Sequence, residues 1–181
     1  METHLSTAKY DRVTIALHWL IALLVAGQWL GAHVIDWFPR GPLRVDARSL
    51  HIVGGVLVGV LMLVRLGWRV TSGRHLPPEG PAWADLAARA VKAGLYLLVF
   101  AIVAIGVALT LTRGDNLFGL VQLPGLGADT REARHALSEQ IVEYHELAAN
   151  LILAVAGFHA AAALVHHFWF KDGVLRRMAL R

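Results

Sequence analysis

The chain has 181 residues, of which 56% are hydrophobic and only 17% charged, and its formal net charge is +4. Because soluble domains contain about a quarter charged residues, this balance indicates a membrane protein, and we predict one membrane domain over residues 1–181. The absence of cysteine excludes disulfides, cysteine-ligated zinc, iron–sulfur clusters and thioether-bound haem. No basic run with interleaved aromatic residues is present, so no nucleic-acid partner is expected.

Four apolar stretches are long enough to cross a bilayer as helices, which takes about 20 residues. The polar N-terminus lacks the cleavage site of a secretory signal, so the first span is expected to be retained. The predicted spans are residues 13–35, 49–69, 90–112 and 140–170. The second contains Arg65, which has to reach the interface or meet an anionic group inside the bundle. The predicted fold is therefore an all-α integral membrane protein with a four-helix bundle.

The connectors between the spans are predicted from their proline and glycine content. The segments "DWFPRGPLRVDAR" and "TSGRHLPPEGPAW" indicate turns. The third connector is longer, and from about Thr130 its composition favours helix, so we expect the fourth helix to extend beyond the membrane surface. Lys and Arg residues divide eleven to six between the two sides. Because such residues accumulate on the cytoplasmic side, both termini are predicted to be cytoplasmic.

Four histidines fall at two depths in these spans. His18 lies near the inner end of the first span and His51 near the outer end of the second. His145 and His159, on the fourth span, are 14 residues apart. That spacing returns to within roughly 40° of the same helix face after a rise of about 21 Å. Depth therefore pairs His18 with His159 on the inner side and His51 with His145 on the outer side.

Two histidine pairs facing each other across a four-helix bundle are what two bis-histidine haems require. Small residues follow His51 at Gly54, Gly55 and Gly59, where they leave room for a flat macrocycle. The alternative is that each histidine hydrogen-bonds a neighbouring helix and that the glycines serve helix packing. Two matched depths and a shared face favour two haems. A mononuclear metal site is disfavoured because the two pairs lie too far apart to share one ion.

Arg65 is 14 residues after His51 and lies on the same helix face at the inner level. A cation there could contact the propionates of the inner haem, with Arg12 or Arg69 nearby. The alternative is that Arg65 extends to the membrane interface.

The chain resembles a known family over nearly its whole length. The segments "TIALHWLIALLV", "SLHIVGGVLVGVLMLVRL", "TRGDNLF" and "HAAAALVHHFWFKDG" are similar to those of the bacterial cytochrome b561 family. More narrowly, they resemble the members of that family that act as superoxide:ubiquinone oxidoreductases. The resemblance implies a bacterial inner-membrane protein that binds two haem b groups through His18, His51, His145 and His159. It also implies an enzyme that oxidises superoxide to dioxygen on the periplasmic side and reduces ubiquinone.

Two substrate sites can be argued from charge and chemistry. Superoxide is an anion, and the predicted outer side carries Arg40, Arg44, Arg48, Arg113, Arg131 and Arg134, diluted by acidic residues. The alternative is that these arginines bind lipid headgroups or haem propionates. On the inner side, His166 and Lys171, with Trp169 and Asp172, could supply hydrogen bonds and protons to a quinone. The alternative is that Trp169 and Lys171 are interface anchors. His4, His33, His75, His135 and His167 receive no role.

Two other functions compete with this interpretation. The first is a cytochrome b subunit that exchanges electrons between the quinone pool and a docked dehydrogenase or hydrogenase. The short loops and termini favour a self-contained enzyme with no obligatory protein partner. The second is a metal or proton transporter, which needs Asp or Glu in the middle of a span. No predicted span has one there.

Overall fold

The computed structural model describes residues 9–77 and 81–179. His4 and Arg181, together with residues 78–80 of the second connector, lie outside these ranges. The helices are α1 (Arg12–Ile35), α2 (Pro42–Thr71), α3 (Ala82–Arg113) and α4 (Arg131–Val165). Helix α4 continues into a π turn at His166–Phe170, and a 3₁₀ turn follows at Arg176–Met178. Between α3 and α4 lies an antiparallel hairpin of two short strands, β1 (Asn116–Leu117) and β2 (Val121–Gln122).

The predicted all-α, four-span fold is confirmed. Each of the four helices is long and apolar enough to cross a membrane. Large apolar side chains such as Leu23, Leu97 and Phe158 are exposed on the helix faces that point away from the bundle. In a bilayer such faces contact lipid, because lipid tails solvate apolar side chains and leave no penalty for exposing them.

The predicted turn before the second span was wrong in its second half. Helix α2 begins at Pro42, seven residues before the predicted span, with Gly41 at its N-cap. Proline is favoured at the first helical position because its missing N–H has no partner there anyway. The extension of the fourth helix is confirmed: α4 begins at Arg131, and Thr130 caps it by accepting a hydrogen bond from the Ala133 N–H.

The arrangement of the helices leaves the histidine-bearing face of α4 turned toward α1 and α2. Among the described residues, the extensive helix contacts join α1 with α2, α2 with α3, and α3 with α4. An apolar core cluster of Ile21, Val58, Met62, Val99 and Ile152 occupies the middle of the bundle. Ile152 is seven residues from both His145 and His159, so this apolar layer lies between the two histidine levels.

The two ends of the described chain meet at one end of the bundle, the end predicted to be cytoplasmic and called the inner end below. The Tyr10 N–H donates to the Arg177 carbonyl at 3.2 Å. Asp11, the N-cap of α1, accepts hydrogen bonds from Thr14, from the Trp68 indole and from the Arg74 backbone N–H. Burial acts to raise the pKa of Asp11, but these hydrogen bonds outweigh it and hold the pKa well below its usual range. Asp11 therefore joins α1 to the end of α2.

At the outer end, the hairpin is fastened to α2 through Ser49, which is fully buried. Its hydroxyl donates to the Val45 carbonyl at 2.7 Å and accepts from the Phe118 N–H at 2.9 Å. The hairpin was not predicted, because each strand is only two residues long and carries no detectable periodicity.

Candidate functional site: two histidine pairs in the bundle

The inner pair joins α1 to α4. The rings of His18 and His159 have centroids 6.3 Å apart, and their planes are inclined at 82°. Both side chains are half-buried. The first and last helices, which are distant in sequence, therefore present these two imidazoles to each other.

The outer pair joins α2 to α4 with nearly the same geometry. The rings of His51 and His145 have centroids 6.2 Å apart and an interplanar angle of 78°. Both pairs are those that depth and helix face predicted. Their role as metal ligands stays a prediction.

The ring separations fit an iron atom held between each pair. An imidazole nitrogen binds a first-row metal at about 2 Å, so two rings on opposite sides of one iron have centroids about 6 Å apart. Two imidazoles are too few for a protein-bound ion but suffice for haem, whose macrocycle supplies the remaining ligands. Within residues 9–77 and 81–179, no three His, Asp or Glu side chains come together as a metal ion would need. The donor set therefore fits haem.

A cavity of about 690 Å³ surrounds the outer pair and is large enough for an organic cofactor. Gly55 and Gly106 line it beside His51 and His145. A Cβ on Gly106 would come within 3.0 Å of the His145 ring, whereas one on Gly55 would meet nothing within 4 Å. Gly106, which the sequence analysis missed, therefore allows His145 its position, and Gly55 contributes open space.

The other two glycines near His51 serve helix packing. A Cβ on Gly54 would collide with Gln28 of α1, and one on Gly59 would come within 2.9 Å of Val103 of α3. The prediction that all three glycines make room for a cofactor was therefore wrong for Gly54 and Gly59. Their close approach to α1 and α3 is the packing alternative, which small residues commonly provide between membrane helices.

The Nδ1 atoms of the outer pair are buried and lack a partner with full hydrogen-bond geometry. Backbone groups of Gln28 and Ile102 nevertheless lie near enough to act on the rings of His51 and His145, respectively. A metal-ligating histidine usually donates its other ring N–H to such a backbone carbonyl, which fixes the ring orientation. Donation from Nδ1 would leave Nε2 of each ring as the nitrogen that could bind iron.

Positive charge surrounds the inner pair. Arg65 donates to the Tyr96 hydroxyl at 3.1 Å and to the Thr14 carbonyl at 3.4 Å. Within the described part of the chain, the partners that fix Arg65 are therefore neutral oxygen atoms inside the bundle, and its contact with a propionate stays a prediction. Arg65 and Lys92 both act electrostatically on His159. Lys92 was not predicted at this site, because its position on α3 has no spacing relation to the histidines on the other helices.

Arg69, expected near Arg65, is engaged elsewhere. It donates to the Arg74 carbonyl at 2.7 Å and lies over the Tyr10 ring at 5.5 Å. Arg12 is exposed at the start of α1. Arg69 thus braces the connector that follows α2, away from the histidine pair.

Mixed charge lines the mouth of the outer cavity. Of the six outer arginines, Arg48 and Arg113 line it, together with Asp36 and Asp115. Arg48 pairs with Asp115 at 3.6 Å. Burial raises the pKa of Asp115 above its ordinary value, and the charges of Arg48 and Arg113 offset only part of that rise. The mouth therefore holds two cations beside a carboxylate that is costly to ionise.

The other outer arginines have different surroundings. Arg44 pairs with Asp36 at 3.5 Å and donates to two backbone carbonyls. Arg134 donates to the Ala128 carbonyl at 3.1 Å. Arg40 and Arg131 are exposed. None of these four lines the cavity.

Only part of the predicted inner cluster comes together. His166 Nδ1 lies 2.5 Å from Asp172 Oδ2, so these two side chains form a pair. Lys171 is exposed between them in sequence. Trp169 is 83% exposed, so it faces the surroundings of the bundle, as an interface anchor does.

Three of the histidines without a predicted role have local partners. His33 stacks on Trp29, with ring centroids 4.2 Å apart. His135 pairs with Glu139 one turn along α4, and His75 lies beside Arg69. His167 is half-buried next to Phe168.

Comparison with known proteins agrees with this architecture. Residues 9–180 match the family model for prokaryotic cytochrome b561. A probable superoxide oxidase of Yersinia pestis is 31% identical, over 94% of this chain and 95% of that protein. Cytochrome b561 homolog 1 of Escherichia coli is 31% identical, over 96% and 98%. A cytochrome b562 of Cereibacter sphaeroides is 31% identical, over 93% and 94%. The chain belongs to the prokaryotic cytochrome b561 family of multi-pass membrane electron-transfer proteins, a family that implies b-type haem.

Proposed function

We propose that the chain binds two haem b groups, one between His18 and His159 and one between His51 and His145. The observation that supports this most strongly is the pair of ring separations, 6.3 and 6.2 Å, at two levels of one bundle. Haem iron held by two imidazoles supplies reversible one-electron oxidation and reduction. The four histidines hold the groups in place, and the apolar layer around Ile152 keeps the two levels apart.

Charged side chains near each pair would neutralise the propionate groups of the haems. Arg65 and Lys92 are placed for this at the inner level, and Arg48 and Arg113 at the outer level. Guanidinium groups suit this task because they bind carboxylates through two parallel hydrogen bonds. The charges also set how easily each haem accepts an electron, since a nearby cation favours the reduced form.

Both termini are placed in the cytoplasm of a bacterium by this proposal. The eleven-to-six division of Lys and Arg favours that orientation. The contact between Tyr10 and Arg177 puts both ends of the described chain on one side. The outer cavity then opens toward the periplasm.

Superoxide is the proposed electron donor, and it meets the protein at the outer cavity. Arg48 and Arg113 line this cavity, and fixed cations in a cleft raise the local concentration and the association rate of a small anion. The Yersinia pestis relative is named a probable superoxide oxidase, which favours this donor.

Ubiquinone is the proposed acceptor, and it binds near His166 and Lys171 at the inner end of α4. Ubiquinone takes up two electrons and two protons as it becomes ubiquinol, and two superoxide ions give up those electrons as they become two dioxygen molecules. His166 lies seven residues after His159, about 20° from it around the helix and about 10 Å further along. It is therefore on the inner side of the inner pair.

The experiment that tests this function mixes purified oxidised protein with a pulse of superoxide and follows the haem absorption. We expect rapid reduction, its abolition by superoxide dismutase, and reoxidation when ubiquinone is added. Haems that stay oxidised in the presence of superoxide would contradict the proposed donor.

A second candidate is an electron-carrier subunit that exchanges electrons between quinone and a docked dehydrogenase or hydrogenase. The names of the relatives favour it in part, because two of the three described above are named simply as cytochromes. It predicts haems that quinol reduces and superoxide does not. The same mixing experiment therefore separates the two functions.

A further inference from the structure

The inner end of α4 departs from regular helix at the residues next to the proposed quinone site. The α-helix ends at Val165, and His166–Phe170 form a π turn. Lys171 then adopts a left-handed conformation, with φ of 52°, and donates its N–H to the His166 carbonyl. Positive φ is uncommon for a residue with a side chain, and π turns occur frequently at functional sites. This wide turn directs the following residues back toward His166.

The turn places Asp172 on the His166 ring with both carboxylate oxygens engaged. Oδ2 lies 2.5 Å from Nδ1 of His166, and Oδ1 accepts from the Val174 N–H at 3.1 Å. The two side chains are only 31% and 24% exposed. A carboxylate accepts hydrogen bonds, so the hydrogen of the ring is held on Nδ1 and Nε2 is left for another partner.

The segment that carries Asp172 is anchored to other parts of the inner end. The Trp19 indole donates to the Met178 carbonyl at 2.8 Å, and the Arg177 guanidinium donates to the Pro77 carbonyl at 2.8 Å. Trp19 directly follows His18 in α1. These contacts hold the C-terminal segment against α1 and the connector after α2, so the segment that carries the carboxylate is kept near the inner histidine pair.

We infer that Asp172 is a positioning residue for quinone reduction, and this inference rests on the proposed function. Asp172 holds the hydrogen of the neutral His166 ring on Nδ1, so Nε2 can take up a proton from the cytoplasmic solvent and then donate it to a quinone carbonyl oxygen. Each quinone gains two electrons, which come from two superoxide ions, and two protons, which come from the cytoplasmic solvent. His166 passes on one of these protons and regains it from solvent. Asp172 stays ionised and is not consumed.

The test compares steady-state ubiquinone reduction in Asp172→Asn, Asp172→Glu and His166→Gln. General acid catalysis contributes about 100-fold or more, so His166→Gln should lower kcat by about that factor. Asp172→Asn, which keeps the proton donor but weakens its orientation, should lower kcat about tenfold with little change in KM. Asp172→Glu should recover most of the loss. Haem content and the rate of haem reduction by superoxide should be unchanged in all three.

The matched control is Asp85→Asn. Asp85 is also a carboxylate toward the inner end, but it pairs with Arg89 on its own helix. It should behave as the wild-type protein does. A general loss of surface charge would instead lower quinone reduction in both aspartate variants.

Nitrogen-15 NMR of the imidazole rings gives a readout that does not depend on activity. The His166 signal is identified by its loss in His166→Gln. We expect it to report hydrogen on Nδ1 in the wild type and a mixture of tautomers in Asp172→Asn. An unchanged His166 tautomer in Asp172→Asn would overturn this inference and leave the proposed function standing. A wild-type kcat in Asp172→Asn, together with a lowered kcat in His166→Gln, would do the same. A wild-type protein that fails to reduce ubiquinone would overturn the proposed function and this inference with it.

Discussion

The two histidine pairs have nearly identical ring geometry but very different surroundings. The outer pair lines a cavity of about 690 Å³ whose mouth mixes two arginines with two carboxylates. The inner pair lies beside Arg65 and Lys92, and Arg65 is bound only to neutral oxygens in the hydrogen bonds that fix it. The shared geometry follows from the helix repeat of α4, which places both of its histidines on one face. The difference lies in charge, which is what would distinguish the proposed substrates of the two ends.

The largest effect is expected where the backbone approaches the outer pair most closely. Gly106→Ala should displace His145, because the new Cβ would lie 3.0 Å from Cε1 of the ring. We expect the outer haem to be lost in most of the purified protein while the inner haem is kept. Haem content per chain and a redox titration measure this.

Gly94→Ala is the control, since it makes the same substitution on the same helix and its Cβ would meet nothing within 4 Å. Replacing glycine with alanine stabilises the helix by about 1 kcal/mol in both variants, so this effect cancels when the two are compared. Equal haem content in Gly106→Ala and Gly94→Ala would show that the outer pair is not constrained by α3.

The next effect concerns the charge at the inner pair. Arg65→Gln removes a cation that favours the reduced state, so the midpoint potential of the inner haem should fall. One charge in a partly buried site contributes on the order of 1.4 kcal/mol, or about 60 mV for one electron. Arg69→Gln, one turn along α2 and bound to the Arg74 carbonyl, should shift it far less. Equal shifts of the midpoint potential in Arg65→Gln and Arg69→Gln would mean that only the total charge at the inner end matters, and not the position of Arg65.

A smaller effect is expected at the mouth of the outer cavity. Asp115→Asn removes the carboxylate that pairs with Arg48, so superoxide should reduce the haems about two to three times faster at low ionic strength. Because the pKa of Asp115 is raised, wild-type Asp115 becomes neutral at a higher pH than an ordinary carboxyl. The ratio of variant to wild-type rates should therefore approach one as pH falls.

Glu132→Gln controls for a general change in outer charge. Glu132 is exposed in the first turn of α4 and does not line the cavity. It should leave the rate unchanged. A rate ratio for Asp115→Asn that grows as pH falls would contradict the effect assigned to the Asp115 carboxylate.

The smallest effect concerns the stability of the inner end. Asp11→Ala removes the N-cap of α1 and the acceptor for Trp68, which should lower the free energy of unfolding by about 1 kcal/mol at neutral pH. The folded pKa of Asp11 is lowered, so its contribution is complete above the ordinary carboxyl pKa of about 4 and is lost as pH falls further. Thermal unfolding in detergent at several pH values measures this. A deficit that increased with acidification would contradict it.

Much of the fold could be predicted because membrane spans and helix faces are local properties. Hydropathy located the four helices, and the 14-residue spacing of His145 and His159 was enough to pair them with partners of equal depth. The features that were missed depend on contacts between distant segments. Lys92, Gly106 and the packing role of Gly59 become visible only once α3 is placed beside α2 and α4. The pairing of His166 with Asp172 depends on a π turn, which no periodicity predicts.

The most direct test of the central proposal is the haem b content of the wild type and of four single variants, His18→Ala, His51→Ala, His145→Ala and His159→Ala. The account predicts two haems per chain in the wild type and one in each variant. The haem that remains in His18→Ala and in His159→Ala should give the same reduced-minus-oxidised absorption spectrum. The haem that remains in His51→Ala and in His145→Ala should give a second, different spectrum. A wild type with one haem per chain would contradict the assignment of the two sites. So would a variant of one histidine pair whose spectrum matches that of the other pair's variants.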